Sequence, residues 1–486
     1  MNILYLSPEI APLAKTGGLA DVAGALPPAV KALGHDIRTV MPKYFTLNEG
    51  NAAFERKTAF TVPMFNGLHS AVLWETRGET RANGAVTYLL ENEEYYLRDG
   101  FYGSNDGDYP DNLERFVFFC KAALEACRAV DFRPDVIHCN DWQTAALPAV
   151  LKLVYRMYRK DPFFDPAPKT VYSIHNISYQ GRFPEDHWPI LSLPKSYYTY
   201  DFEFYGSINL TKSAIHFADA ITTVSETYAR EIRETEFGYG LQGSLENRKS
   251  DLYGILNGVD YAEWSPEVDP HTYGIHYSAE DLTGKRAIRS KLRAEFGLPD
   301  RKEVPLIGMV ARFVQQKGID LLAETARRIL KMDTQLILLG SGEPEYHDFL
   351  EGLRRAFPDR VGLYLGFNNG LAHKIEAGSD IFLMPSQFEP CGLNQIYSLR
   401  YGTLPVVRLT GGLADTIRDG ENGFTFPDFN AFQFFDAVRR AVETFRDRPE
   451  KWKQMMQRAM KEDYSWKKSA RKYIEVYRSI TDTESD

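Results

Sequence analysis

Residues 2–7 read N-I-L-Y-L-S, residues 15–18 K-T-G-G, and residues 36–41 D-I-R-T-V-M. Between the last two, apolar residues recur at helical spacing from Leu19 to Leu33, and Gly34 stops the run. A short apolar run without alternation is the mark of a parallel strand buried on both faces. Strand, Gly-containing loop, helix and strand, closed by a tight stop, is the doubly wound βαβ unit. This stretch sets the expected class: α/β, built from Rossmann-like parallel sheets.

The pattern recurs downstream. Strands are predicted at 135–140, 169–175 and 219–224, with a helix from Thr144 to Tyr155 interrupted by Pro148. A second series begins near residue 305. Its predicted strands are 305–311, 335–339, 361–366, 380–384 and 404–408, alternating with helices at 318–331 and around 346–357. From Ala431 to Ile480 the tail reads as helical throughout, with Pro449 opening a new helix. Residues 255–304 read as irregular and charged, and the hinge is placed there. The expectation is two doubly wound domains facing across a cleft.

At 486 residues the chain has length for two large domains and a core that needs no staples. Lys plus Arg is 57 and Asp plus Glu is 66, a net charge of −9 that argues against a nucleic-acid footprint. No apolar run approaches the ~20 residues of a membrane span. The start, MNILYLSPEI, lacks a basic segment before its apolar stretch and does not read as a signal peptide. Cys120, Cys127, Cys139 and Cys391 show no C-x-x-C spacing, so neither zinc nor a disulfide framework is indicated. A reducing, cytoplasmic location is expected. No G-x-G-x-x-G follows the first strand, and Gly340-Ser341-Gly342 lacks a third glycine, which sets a Rossmann dehydrogenase aside.

The hexapeptide T-G-G-L-A-D occurs at 16–21 and again at 410–415, each time after a strand and before a helix. Such a helix start presents free N–H groups and a positive dipole end to an oxyanion, and glycine lets a ligand approach the backbone. Ordinary tight turns are the competing account. Two copies, one per domain, favour a shared anionic ligand.

In open α/β sheets ligands sit beyond the carboxyl ends of the strands. Those ends carry Asp141, suited to meet an acceptor hydroxyl, and His175-Asn176, where the His could donate to a sugar hydroxyl or stabilise developing charge. Arg312 and Lys317, in R-F-V-Q-Q-K-G, suit a diphosphate. Glu389, in E-P-C-G-L, precedes a helix start, where a carboxylate either caps the helix or accepts hydrogen bonds from sugar hydroxyls. The polar, aromatic segment 99–115 reads as a binding loop, with sugar stacking expected at Tyr102 or Tyr109.

Together, K-T-G-G-L-A-D-V, D-Y-P-D-N-x-E-R-F, N-D-W, H-N, A-R-F-x-x-Q-K-G, E-P-C-G-L and Y-G-T-L-P-V-V-R-x-T-G-G-L-A-D-T are very specific. The chain resembles the bacterial glycogen synthases, relatives of plant starch synthases, over essentially its whole length. The resemblance implies the GT-B fold, with an acceptor-side domain at 1–255 joined by the helix 462–486 and a nucleotide-sugar domain at 256–461. It implies transfer of glucose from ADP-glucose to the non-reducing end of an α-1,4-glucan (glycogen or a maltooligosaccharide), with retention. It assigns His175, Asp141, Arg312, Lys317 and Glu389 to catalysis. Donor contacts fall to Lys15, Gly17, Gly18, Asp21, Asn176, Phe367, Cys391, Gly392, Leu393, Thr410, Gly411, Gly412 and Leu413, and acceptor contacts to Tyr102, Tyr109, Asp111 and Asn112. Phe367 stands where the family often has a Tyr stacked on the base. It keeps the stacking face and loses the hydroxyl.

No cofactor, metal, nucleic acid or membrane partner is expected. Asp106-Gly107-Asp108 is the D-x-D of the aromatic loop and not of a strand end. Arg312, Lys317 and helix N-termini are therefore expected to do a metal's work by electrostatic preorganisation. Retention through an oxocarbenium-like transition state allows a covalent intermediate or attack from the leaving-group face, and the same-face route is favoured. Domain closure would exclude water. Two other readings stand beside this one: a GT-B transferase with a small acceptor, as in sucrose formation, and a catalytically silent glucan-binding relative.

Overall fold

A computed structural model describes residues 1–48, 53–77, 84–104 and 107–482. The chain divides into two compact units, one of residues 1–258 with 466–486, the other of residues 259–465.

The first unit is built on a nine-stranded sheet. Its spatial order is Leu252–Gly254, Ala220–Thr223, Lys169–Ile174, Val136–Asn140, Asn2–Leu6, Asp36–Pro42, Val86–Glu91, Gly67–Thr76 and Phe54–Met64. The first seven run parallel, and the last two are antiparallel additions at one edge. Strand Val136–Asn140 is buried along its whole length, as a central parallel strand requires. The antiparallel edge is absent from the sequence reading because Phe54–Met64 buries only isolated positions and carries no continuous apolar run.

The helix after the first strand spans Gly18–Ala32 and contains Pro27 and Pro28. Each proline removes one i→i−4 hydrogen bond. The helix predicted over 144–155 is replaced by a 3₁₀ turn at Trp142–Thr144, one α turn at Leu147–Ala149 and a π-helical stretch at Val150–Tyr158. Proline within a turn of its start denies the α ladder a donor there. The terminal helix Trp466–Thr481 packs on this unit. Tyr477 bonds the buried His138 at 2.7 Å, and His138 bonds Ser173 at 2.6 Å.

The second unit has a six-stranded, all-parallel sheet in the order Val361–Leu365, Gln335–Gly340, Leu306–Val310, Ile381–Met384, Leu404–Arg408 and Phe424–Phe426. Reading 255–304 as irregular misses the helix Thr283–Glu295. Six of its thirteen residues, T-G-K-R-A-I-R-S-K-L-R-A-E, are charged, which hides a narrow buried stripe of Ile288 and Leu292. The tail is three helices, Ala431–Asp447, Pro449–Met460 and Trp466–Thr481, with a non-helical link between the last two. Among the described residues no helix is long and apolar enough to cross a membrane.

Candidate functional site

In the first unit, strands Asn2–Leu6, Val136–Asn140 and Lys169–Ile174 are parallel neighbours, so Glu9, Asp141 and His175 leave the sheet from the same end. Asn140 ties these ends together. Its Nδ2 donates to the Leu6 carbonyl at 2.7 Å, which fixes the amide orientation. Its Oδ1 must then accept, from the Tyr5 hydroxyl at 3.1 Å and from His175 Nε2 at 2.9 Å. His175 therefore carries its proton on Nε2 and leaves a lone pair at Nδ1. Burial lowers its pKa to about 4, so the ring is neutral. The expectation that His175 donates to a sugar hydroxyl is reversed, because at Nδ1 it can only accept.

Asp141 is held at φ 53°, ψ −178°, a conformation that costs a non-Gly residue free energy. Its Oδ1 accepts the backbone N–H of His175 at 2.8 Å. Burial pushes its carboxyl up to about 7, with nearby Glu9 adding to the rise against the backbone N–H groups of His175 and Asn176. Strained backbone and a shifted carboxyl at a strand's ligand-facing end make Asp141 a candidate functional residue.

Glu9 is a residue that sequence reasoning missed. It is buried, and its carboxylate accepts from the Thr16 backbone N–H, from Thr16 Oγ1 at 2.6 Å and from the Tyr102 hydroxyl at 2.5 Å. One side chain thus pins both the Lys15–Gly18 loop and the aromatic loop. The signal is a carboxylate three residues past a strand end, in S-P-E, where the apolar run masks it.

Lys15 pairs with Asp21 at 2.6 Å, both exposed. No side chain caps the helix that begins at Gly18, and a Cβ at Gly17 or Gly18 would meet nothing within 4 Å. The N-terminus of this fifteen-residue helix is thus open to an anion.

The aromatic loop is built around itself. Asn112 is buried, donates to the Tyr102 carbonyl at 2.8 Å and accepts from Arg115 at 2.6 Å. Asp111 makes a two-pronged pair with Arg98 at 2.8 and 2.7 Å. The Tyr109 hydroxyl donates to the Asp99 carbonyl. Of the D-x-D, Asp106 lies outside the described residues.

In the second unit Lys317 bonds Glu389 at 2.6 Å, and Ser386 donates to the same carboxylate oxygen at 3.2 Å. The two face a pocket of about 140 Å³ also lined by Ser386, Gly392, Leu393 and Asn394. Arg312 is exposed and outside that lining, near Gln316, which donates to the Phe388 carbonyl at 3.2 Å. Phe367 is 85% exposed, a ring with no packing role of that size.

The second T-G-G-L differs from the first. A Cβ on Gly411 would lie 1.9 Å from the Glu389 carbonyl oxygen, and one on Gly412 would lie 2.0 Å from that of Cys391. The N–H of Gly412 donates to the Glu389 and Pro390 carbonyls at 3.2 and 3.1 Å, and that of Leu413 to Thr410. Thr410, Gly412 and Leu413 are buried. Glycine here admits the E-P-C loop, whereas the backbone at Gly17 and Gly18 faces open space. The repeat is one of sequence, with different packing.

Residues 2–247 match the family model of the starch synthase catalytic domain, and residues 290–461 that of glycosyl transferases group 1. A glycogen synthase 2 of Geobacter sulfurreducens is 46% identical, with 99% of each chain covered. A glycogen synthase of Geotalea daltonii is 45% identical, again over 99% of each. The catalytic domain of starch synthase IV from Arabidopsis thaliana, solved with ADP and acarbose, superposes with a TM-score of 0.88 at 32% identity, covering 99% of each chain. Sucrose-phosphate synthase from Thermosynechococcus elongatus superposes at 0.60 with 17% identity, a likeness of fold alone.

Proposed function

The chain belongs to the glycogen and starch synthases, glucan-extending glycosyltransferases of GT-B fold, and from that premise we propose that it uses ADP-glucose to lengthen α-1,4-glucan at the non-reducing end, releasing ADP with retention. The observation that carries the proposal is the Lys317–Glu389 pair facing one pocket beside Ser386, Gly392 and Leu393. A cation and a hydroxyl-binding carboxylate, 2.6 Å apart, suit a sugar diphosphate. The relative solved with ADP supports an adenine donor.

The residues divide the work. Lys317, with Arg312, takes up charge on the departing diphosphate, a preorganised electrostatic role. Glu389 accepts from the glucose hydroxyls, and Cys391 and Gly392 shape the loop that carries it. Within the first unit, Lys15 and the open helix start at Gly18 offer an anion-binding end. His175, neutral, accepts a sugar hydroxyl at Nδ1. Asp141, with its carboxyl raised to about 7 and its Oδ1 engaged by the His175 N–H, meets the acceptor hydroxyl, and transfer takes the same-face route. Phe367 offers a stacking face to the base. No metal or cofactor enters this scheme, and a cytoplasmic location belongs to it.

The test is glucose incorporation into glycogen from ADP-glucose and, separately, UDP-glucose, with EDTA present. Transfer from ADP-glucose alone is expected. Equal transfer from both would remove the base preference, loss with EDTA restored by Mn²⁺ would remove metal independence, and no transfer from either donor would sink the proposal.

A further inference from the structure

Strands Glu203–Phe204 and Ser207–Asn209 pair as a hairpin with Glu203 opposite Ile208 and Phe204 opposite Ser207, so its loop is the dipeptide Tyr205-Gly206. Both loop residues have positive φ, 51° and 78°. That is the requirement of a type I′ turn, for which Asn-Gly is the preferred pair. A tyrosine in the left-handed region is a steric outlier that Asn or Gly would avoid. Tyr205 nevertheless occupies the tip, and it is 80% exposed. Its hydroxyl has no partner among the described residues. Backbone geometry does not call for a tyrosine there, and most of the ring is left to solvent.

The ring is held in place all the same. The Gly206 N–H donates to Glu203 Oε1 at 2.8 Å, bracing the turn. The ring packs edge-on against Phe204 at 4.7 Å between centroids. Gly240 lies beneath both: a Cβ there would meet the Phe204 ring at 2.6 Å and the Tyr205 ring at 3.5 Å. Residues 239–240 repeat the motif, Tyr239 at φ 47° and Gly240 at 87°, with Tyr239 half exposed. The buried Gln180 joins these segments to the candidate site. Its Nε2 donates to the Tyr239 carbonyl at 3.1 Å, and its Oε1 accepts from Asn209 at 2.7 Å. Beside it, Tyr179 is 61% exposed and its N–H donates to the carbonyl of Asn176, a site residue. The other Tyr-Gly pair with positive φ is accounted for internally, since Tyr273 bonds Glu295.

We propose that Tyr205, with Tyr239 and Tyr179 on segments tied to it through Gln180, forms an aromatic platform that binds the acceptor glucan. Exposed aromatic rings suit the apolar faces of glucose units, which stack on flat side chains, and the Glu203 and Arg182 side chains beside the tip can bond the hydroxyls at a sugar's rim. Continuity with Asn176 joins the platform to the candidate site. The inference rests on the reading of the chain as a glucan synthase and names further residues for its acceptor.

The test is Y205N, with Y205F as control. Asn accepts the left-handed conformation more readily, so the variant stays folded, with thermal stability equal or higher. Retardation in a glycogen-containing native gel, without any donor, is expected to weaken. The ratio of kcat/KM for glycogen to that for maltotriose is expected to fall roughly two- to tenfold, the worth of one stacked ring. Y205F keeps the ring and should keep most of both. Unchanged retardation and ratio in Y205N would overturn the proposal. So would a fall in thermal stability with normal glycogen affinity, which assigns the ring to packing. A shift in sedimentation with normal affinity would assign it to self-association and overturn it too. A wild-type protein that transfers glucose to no glucan would sink the functional reading instead, so the two failures are distinguishable.

Discussion

Replacing Asp141 with Asn should make the protein more stable at alkaline pH while lowering its activity. In the folded chain burial raises this carboxyl from 3.8 to about 7. The folded state therefore holds a proton that the unfolded state releases between pH 4 and 7. The sign follows: wild-type stability falls as pH rises through that window and is flat above it. About three pKa units at 1.36 kcal/mol each give an upper bound of about 4 kcal/mol above pH 8. Asp141 is only half-buried, and solvent screening reduces this to about 2 kcal/mol. Asn keeps an oxygen for the N–H groups of His175 and Asn176, stays neutral, and leaves the strained φ as it was. For a unit of this size the gain corresponds to a rise of about 4–8 °C in the melting transition. The assay is thermal unfolding of wild type and D141N at pH 8.5 and pH 4.5, with activity measured at neutral pH. At pH 4.5 the advantage should shrink to about a quarter of its value at pH 8.5. A gain that is absent at pH 8.5, or equal at the two pH values, would refute the assignment of a raised pKa to burial. Unimpaired transfer by D141N would refute its place in the site.

Three further outcomes follow from the geometry. K317A should lower kcat roughly a hundredfold to a thousandfold, as loss of a preorganised charge partner does, while the purified variant stays folded by circular dichroism; near-normal turnover would remove Lys317 from the mechanism. G17A and G412A should separate. A methyl at Gly17 meets nothing, so folding survives and donor KM rises, whereas a methyl at Gly412 meets the Cys391 carbonyl at 2.0 Å and should lower the melting temperature or the soluble yield; equal behaviour of the two would refute the packing difference. Y477F leaves His138 Nδ1 without its 2.7 Å partner and should cost about 1–3 kcal/mol in denaturant unfolding, with activity per folded molecule retained; an unchanged midpoint would show the network to be slack.

Several of the features behind these outcomes are displayed by no linear pattern. Glu9 is one carboxylate among 66 acidic residues until the first strand and the aromatic loop bring Thr16 and Tyr102 to it. The two T-G-G-L-A-D copies are identical as text. One faces open space and the other a pair of carbonyls, because what fills the space over a glycine comes from elsewhere in the chain. The charged helix Thr283–Glu295 reads as irregular because its buried stripe is too narrow to dominate composition.

The α/β class and both parallel series are legible in the order of residues alone, because a doubly buried strand and its following loop leave a local, periodic trace. That order also shows which polar residues stand at strand ends, among them Asp141, His175 and Arg312, since chain direction within a parallel sheet assigns those ends to one side. The state of those groups is set by folding. The neutral His175 with its free Nδ1, the raised Asp141 carboxyl and the solvated Tyr205 in a left-handed turn depend on desolvation, on partners far away in sequence and on backbone dihedrals. Those quantities arise from packing, and packing is a property of contacts between residues that the order of residues does not place side by side.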